Sequence, residues 1–156
     1  MSSELEDGPE WRWRETIHEG QKLLTYVKKN DSQHSNELWD KYIHNKKDHF
    51  MMFDAEIFDD QDTLYIEEAG WNQKSLEDNT KKILSEKLDY QENDQIIIFW
   101  SKESSVYVNW KLFLSYWSDF IYSSDEGVLI VNPISDMSFV YILDKIWIFK
   151  RKLIAT

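Results

Sequence analysis

The spacing of apolar residues changes near the middle of the chain. Between residues 15 and 29, Ile17, Leu23, Leu24 and Val27 recur at roughly helical intervals, and Lys28 and Lys29 stand where cations favour a helix C-terminus, which predicts a first helix. Asn30-Asp31-Ser32 breaks it. Ser35 is placed to cap a second helix with Leu38, Trp39, Tyr42 and Ile43 on its apolar face, ended by Asn45 and the two lysines that follow. Residues 75–88 predict a third, with Leu76, Ile83, Leu84 and Leu88 on one side and Asn79, Lys81 and Lys82 on the other.

From residue 95 the pattern turns to strands. Gln95–Ser101 is a run of the buried-strand type, and Val106-Tyr107-Val108 follows a polar Lys-Glu-Ser-Ser turn, which predicts a hairpin. Asn109 is a good N-cap for a helix over about 110–121, whose Trp110, Phe113, Leu114, Trp117 and Phe120 form an inward stripe. After a Ser-Ser-Asp-Glu-Gly turn, residues 128–131, 139–143 and 146–150 read as three strands joined by Asn132-Pro133 and Asp144-Lys145, an antiparallel meander. The expected architecture is α+β. A helical N-terminal half packs on one face of an antiparallel sheet of about four or five strands, with the aromatic helix inserted between strands. Residues 1–10 read as a disordered tail, and 11–156 as a single domain.

One stretch fits neither period. Residues 48–73 hold Asp48, Asp54, Glu56, Asp59, Asp60, Asp62, Glu67 and Glu68 with no Lys or Arg, so they carry most of the net charge of -11. Phe50, Met51, Met52, Phe53, Ile57, Phe58, Leu64, Tyr65 and Ile66 make the stretch too apolar for a free linker, which predicts an anchored loop with short helical or extended pieces.

Composition narrows the chemistry. With 42% hydrophobic and 15% aromatic residues in 156, the charge sits on a folded surface rather than on a disordered chain. There is no cysteine, which removes disulfides, thiolate nucleophiles, zinc-thiolate sites and iron–sulfur clusters. The apolar run Ile96-Ile97-Ile98-Phe99-Trp100 is far short of the ~20 residues that span a bilayer, so no membrane partner is expected. The acidic, polar start is the opposite of a signal peptide, which gives a cytoplasmic expectation. Excess negative charge also argues against nucleic acid as a partner and for a neutral or basic one.

The chemical constellations are weak. His18, His34, His44 and His49 all lie in the helical half, and Ser123 and Ser124 lack the Gly-x-Ser-x-Gly turn of a nucleophile. Asp59-Asp60-Gln61-Asp62 lacks the spacing, glycine and final Glu of a calcium loop, and His44, Asp48 and His49 complete no zinc motif. Gly8, Gly20, Gly70 and Gly127 cannot be arranged into a dinucleotide or phosphate loop. Neither a metal, nor a cofactor, nor catalysis is expected. An enzyme would need His44, Asp48 and His49 to converge with Asp59 and Asp60 in a pocket.

Trp110-x-x-Phe113-x-x-x-Trp117-x-x-Phe120, Ser124-Asp125-Glu126-Gly127-Val128-Leu129-Ile130, Trp147-Ile148-Phe149-Lys150-Arg151 and the upstream Leu38-Trp39-Asp40-Lys41-Tyr42 resemble a bacterial domain-of-unknown-function family over residues 35–152. That resemblance implies fold and supplies no catalytic residue. In size, acidity and lack of cysteine the chain is also similar in class to immunity proteins of contact-dependent inhibition and polymorphic toxin systems. The functional expectation is therefore an immunity protein, a monomer or weak dimer, that binds a basic toxin domain of the nuclease type. Its surface would be Asp54, Glu56, Asp59, Asp60, Asp62, Tyr65, Glu67, Glu68 and Trp71, where charge speeds encounter and aromatics hold the complex. Trp11 and Trp13 could add to it. The competing readings are an intracellular adaptor or regulator and, for the acidic stretch itself, a solubilising loop.

Overall fold

The computed structural model describes residues 16–43, 63–68, 74–121, 125, 127–142 and 145–150, and of residues 24, 63–68 and 74–77 the backbone alone. In chain order the elements are β1 (Ile17–His18), β2 (Gln21–Lys22), a 3-10 turn (Leu23–Tyr26), β3 (Lys28–Lys29), α1 (Ser32–Tyr42), β4 (Thr63–Glu68), α2 (Lys74–Lys87), β5 (Gln95–Ser101), β6 (Ser104–Asn109), α3 (Trp110–Ser115), α4 (Trp117–Phe120), β7 (Val128–Val131), β8 (Met137–Ile142) and β9 (Lys145–Lys150). β1 and β2 make a small hairpin, and the other strands form a seven-stranded antiparallel sheet in the order β3-β6-β5-β7-β8-β9-β4.

The centre of that sheet follows the sequence closely. β5 and β6 form the expected hairpin, with Ile97 opposite Tyr107 and Ser101 opposite Ser104, so Lys102 and Glu103 are the turn. β7, β8 and β9 form the expected meander. β5 is antiparallel to both β6 and β7, so those two run in the same direction and α3 and α4 are the crossover between them. Asn109 caps α3 as expected, its Oδ1 accepting from Leu112 N at 3.1 Å. The predicted helix breaks at Tyr116 (φ -129, ψ 29), yet Trp110, Phe113, Trp117 and Phe120 still enter one core.

Both faces of the sheet are covered. Ile96 and Ile98 of β5 join Val106, Val108, Val128, Ile130, Phe139 and Ile148 in a core closed by Leu84 and Leu88 of the α2 region and the aromatic residues of α3 and α4. Ile97 and Phe99 point the other way and join Leu129, Val131, Val140 and Phe149 beneath Leu38, Trp39 and Ile43 of the α1 region. Strand residues alternate faces, so the unbroken run Ile96–Phe99 needs cover on both sides. The helices accordingly divide between the faces instead of packing on one, which corrects the expectation from the sequence.

Three further corrections concern the first half. Residues 16–29, from the stretch expected as the first helix, do not form one: Glu19 (φ 49) and Gly20 (φ 81) are both left-handed, which reverses the chain as a two-residue hairpin turn. Lys28 and Lys29 then pair with Tyr107 and Val106 as an edge strand. Asp31, not Ser35, caps α1, accepting from His34 N at 2.8 Å. Ser35 is instead fully buried and donates to Lys102 O at 2.7 Å. Finally, the sheet has seven strands rather than four or five, because β3 and β4 extend its two ends. Residues 1–10, expected as a tail, and 48–62 and 69–73 of the acidic stretch lie outside the described residues. No helix among the described residues is long and apolar enough to cross a membrane.

Candidate functional site

The expected acidic surface reaches the described residues only at β4. Tyr65, Glu67 and Glu68 belong to that strand, opposite Ile148, Ile146 and Lys145 of β9. β4 is the terminal strand of the sheet, and its register shifts between Thr63 and Tyr65, a bulge of the kind that keeps an edge from pairing indiscriminately. Lys145 is the residue in register with Glu68. Asp54, Glu56, Asp59, Asp60, Asp62 and Trp71 lie outside the described residues, as do His44, Asp48, His49, Trp11 and Trp13. Among the described residues there is no group of three or more His, Asp or Glu able to hold a metal.

A second place carries side-chain detail that the sequence did not reveal. The β1–β2 hairpin folds back on the crossover: Thr16 Oγ1 donates to Asp119 Oδ2 at 3.3 Å, and the Tyr116 hydroxyl donates to Ile17 O at 3.3 Å. Fully buried Leu23, whose amide donates to Thr16 O at 2.7 Å, anchors it to the core. Between hairpin and crossover lies an open cleft of about 310 Å³, the small end of the range for ligand sites. His18, Glu19 and Tyr26 line one wall. Gln95, Asn109, Lys111, Leu112 and Ser115 line the other.

Each wall has a distinct chemistry. His18 is wedged edge-on against Tyr26 and Tyr116, at 5.3 and 5.6 Å between ring centroids. Its Nδ1 lies 3.1 Å from the Tyr116 hydroxyl and its Nε2 3.8 Å from Glu19 Oε2. Glu19 is set by its left-handed backbone at the tip of the hairpin. On the far wall Asn109 Oδ1 is committed to the helix cap, leaving Nδ2 as its donor. Ser115 Oγ donates to Lys111 O at 3.1 Å, so its hydroxyl is engaged by backbone and not by His18. The arrangement can hold and orient a polar ligand; no nucleophile–base pair forms in it. Sequence reading missed this site because its nearest signal, Glu19-Gly20 as a hairpin turn, was taken into a helix.

A large antiparallel sheet clothed on both faces, with a ligand-sized polar cleft beside its crossover, defines a mixed α/β protein with few helices. The chain belongs to a protein family of unknown function, DUF2947, whose profile matches residues 13–143. That confirms the expected kind of family, and its description carries no activity, toxin or immunity role. No curated protein and no solved structure matches the chain.

Proposed function

We propose that this protein acts by binding a basic protein partner at a rim centred on β4, through the acids of residues 48–73, as a cytoplasmic immunity protein for a toxin domain of the nuclease type. The observation that supports the reading is positional. A cation-free stretch with eight acids, residues 48–73, contributes the terminal strand of a rigid sheet, so Glu67 and Glu68 stand at an edge rather than within the body. Such a rim speeds encounter with a basic surface, and a nucleic-acid-binding toxin presents one. Lys145 is the register partner of Glu68, and the eight acids of the stretch outnumber it.

The test is coexpression with the product of the neighbouring toxin-like gene. The expected result is copurification and protection of the cells, both lost on Glu67→Lys together with Glu68→Lys and weakened by salt. Absence of copurification and protection would overturn the reading. Capture of a housekeeping partner from the protein's own cell would replace it with that of an intracellular adaptor.

A further inference from the structure

The cleft between the β1–β2 hairpin and α3 is polarised. Its hairpin wall offers a carboxylate, Glu19, and an aromatic ring, Tyr26; its far wall offers an ammonium, Lys111, and the Asn109 Nδ2 donor. Lys111 makes no ion pair among the described residues. Of the three exposed large apolar residues among those described, Ile17, Tyr26 and Ile134, it is Tyr26, 39% exposed, that lines the cleft. A carboxylate whose ion-pair partner, His18 Nε2, stands at 3.8 Å, an ammonium of opposite sign and a partly exposed aromatic ring, converging on one cavity, are what a site for a small amphipathic ligand requires.

We propose that this cleft binds a small zwitterion, an amino acid or dipeptide with a flat apolar side chain. The ligand carboxylate meets Lys111 and Asn109 Nδ2. Its ammonium meets Glu19 and the Tyr26 ring, where charge-assisted hydrogen bonding and cation–π attraction add. Its side chain lies along Leu112, the apolar part of the floor. The inference goes beyond the partner-binding reading and does not rest on it, since the cleft and β4 share no residue.

The experiment titrates the full-length, 15N-labelled protein with alanyl-phenylalanine, and in parallel with the same dipeptide blocked at its N-terminus by acetyl or at its C-terminus by amide. The free dipeptide is expected to shift the Gly20, Asn109 and Lys111 amide resonances, and either block to abolish the shifts. Lys111→Met and Glu19→Gln, both at exposed positions, are each expected to weaken binding about ten-fold or more, the loss of one charge-assisted hydrogen bond. The proposal is overturned if millimolar dipeptide moves no cleft resonance, if blocked and free forms bind alike, or if both variants bind as the parent does. An unchanged unfolding midpoint for each variant shows that the loss is local.

Discussion

Tyr107 sits on β6 with Lys28 Nζ 5.8 Å from its ring centroid and His34 Nε2 3.4 Å from its hydroxyl. Burial, and then the neighbouring Tyr42 phenol, push its pKa up from the ordinary value. The folded phenol therefore holds its proton more tightly than the unfolded one. Its contribution is complete below the unfolded value, about 10, and drains as pH rises through the higher folded value. Tyr107→Phe is expected to lose less stability than the parent between neutral and strongly alkaline solution, read from urea midpoints at the two pH values. Asp31 acts at the same scale. Its side chain supplies the cap bond at the N-terminus of α1, so Asp31→Ala should cost about 1 kcal/mol in urea unfolding. Sequence reading placed that cap four residues late, at Ser35, because Ser and Asp cap almost equally well and periodicity does not say which one starts the helix.

At the scale of elements, a chain of buried polar groups ties the sheet to α1. Asn30 Nδ2 donates to Ser105 Oγ (3.0 Å), Ser105 Oγ to Ser35 Oγ (2.7 Å), and Ser35 Oγ to Lys102 O, while Lys102 Nζ reaches Asp40 Oδ1 at 3.2 Å. The chain locks the tip of the β5–β6 hairpin beneath the first turns of the helix. Ser35→Ala would leave the buried Ser105 hydroxyl proton without its acceptor, an expected cost of about 1–3 kcal/mol, and Ser35→Ala with Ser105→Ala should cost less than the two singles summed. A double-mutant cycle in urea measures it. The elements legible in the sequence were those with strong periods: the β5–β6 hairpin, the meander, α2, and the aromatic stripe from Trp110 to Phe120. β3 was not legible because two lysines carry no alternation, and β4 because its Leu-Tyr-Ile core is hidden among acids. Trp100 shows a subtler limit. A bulge in β5 sets its Nε1 to donate to Phe120 O at 2.9 Å, a contact that pattern alone cannot foresee.

At the scale of the whole molecule, β5 is paired along both edges and covered on both faces, with Ile96, Ile97, Ile98 and Phe99 fully buried. Its amides open only when the whole sheet does, so they should be the slowest in hydrogen exchange, with β3 and β4 amides far faster. Equal protection across the strands would contradict this. Of the candidate sites, the acidic surface is an expectation from composition alone, and only Tyr65, Glu67 and Glu68 of it fall on described residues. The cleft was not legible in the sequence, since it joins residues from 18 to 115 that only the fold brings together. The order of strands has one more effect. Lys28-Lys29 and Glu67-Glu68 occupy opposite ends of one sheet, six inter-strand spacings or about 29 Å apart. They contribute an electric dipole lying in the plane of the strands. Through these two pairs a distant charged body exerts a torque that favours the glutamate end facing a cation before any surfaces touch.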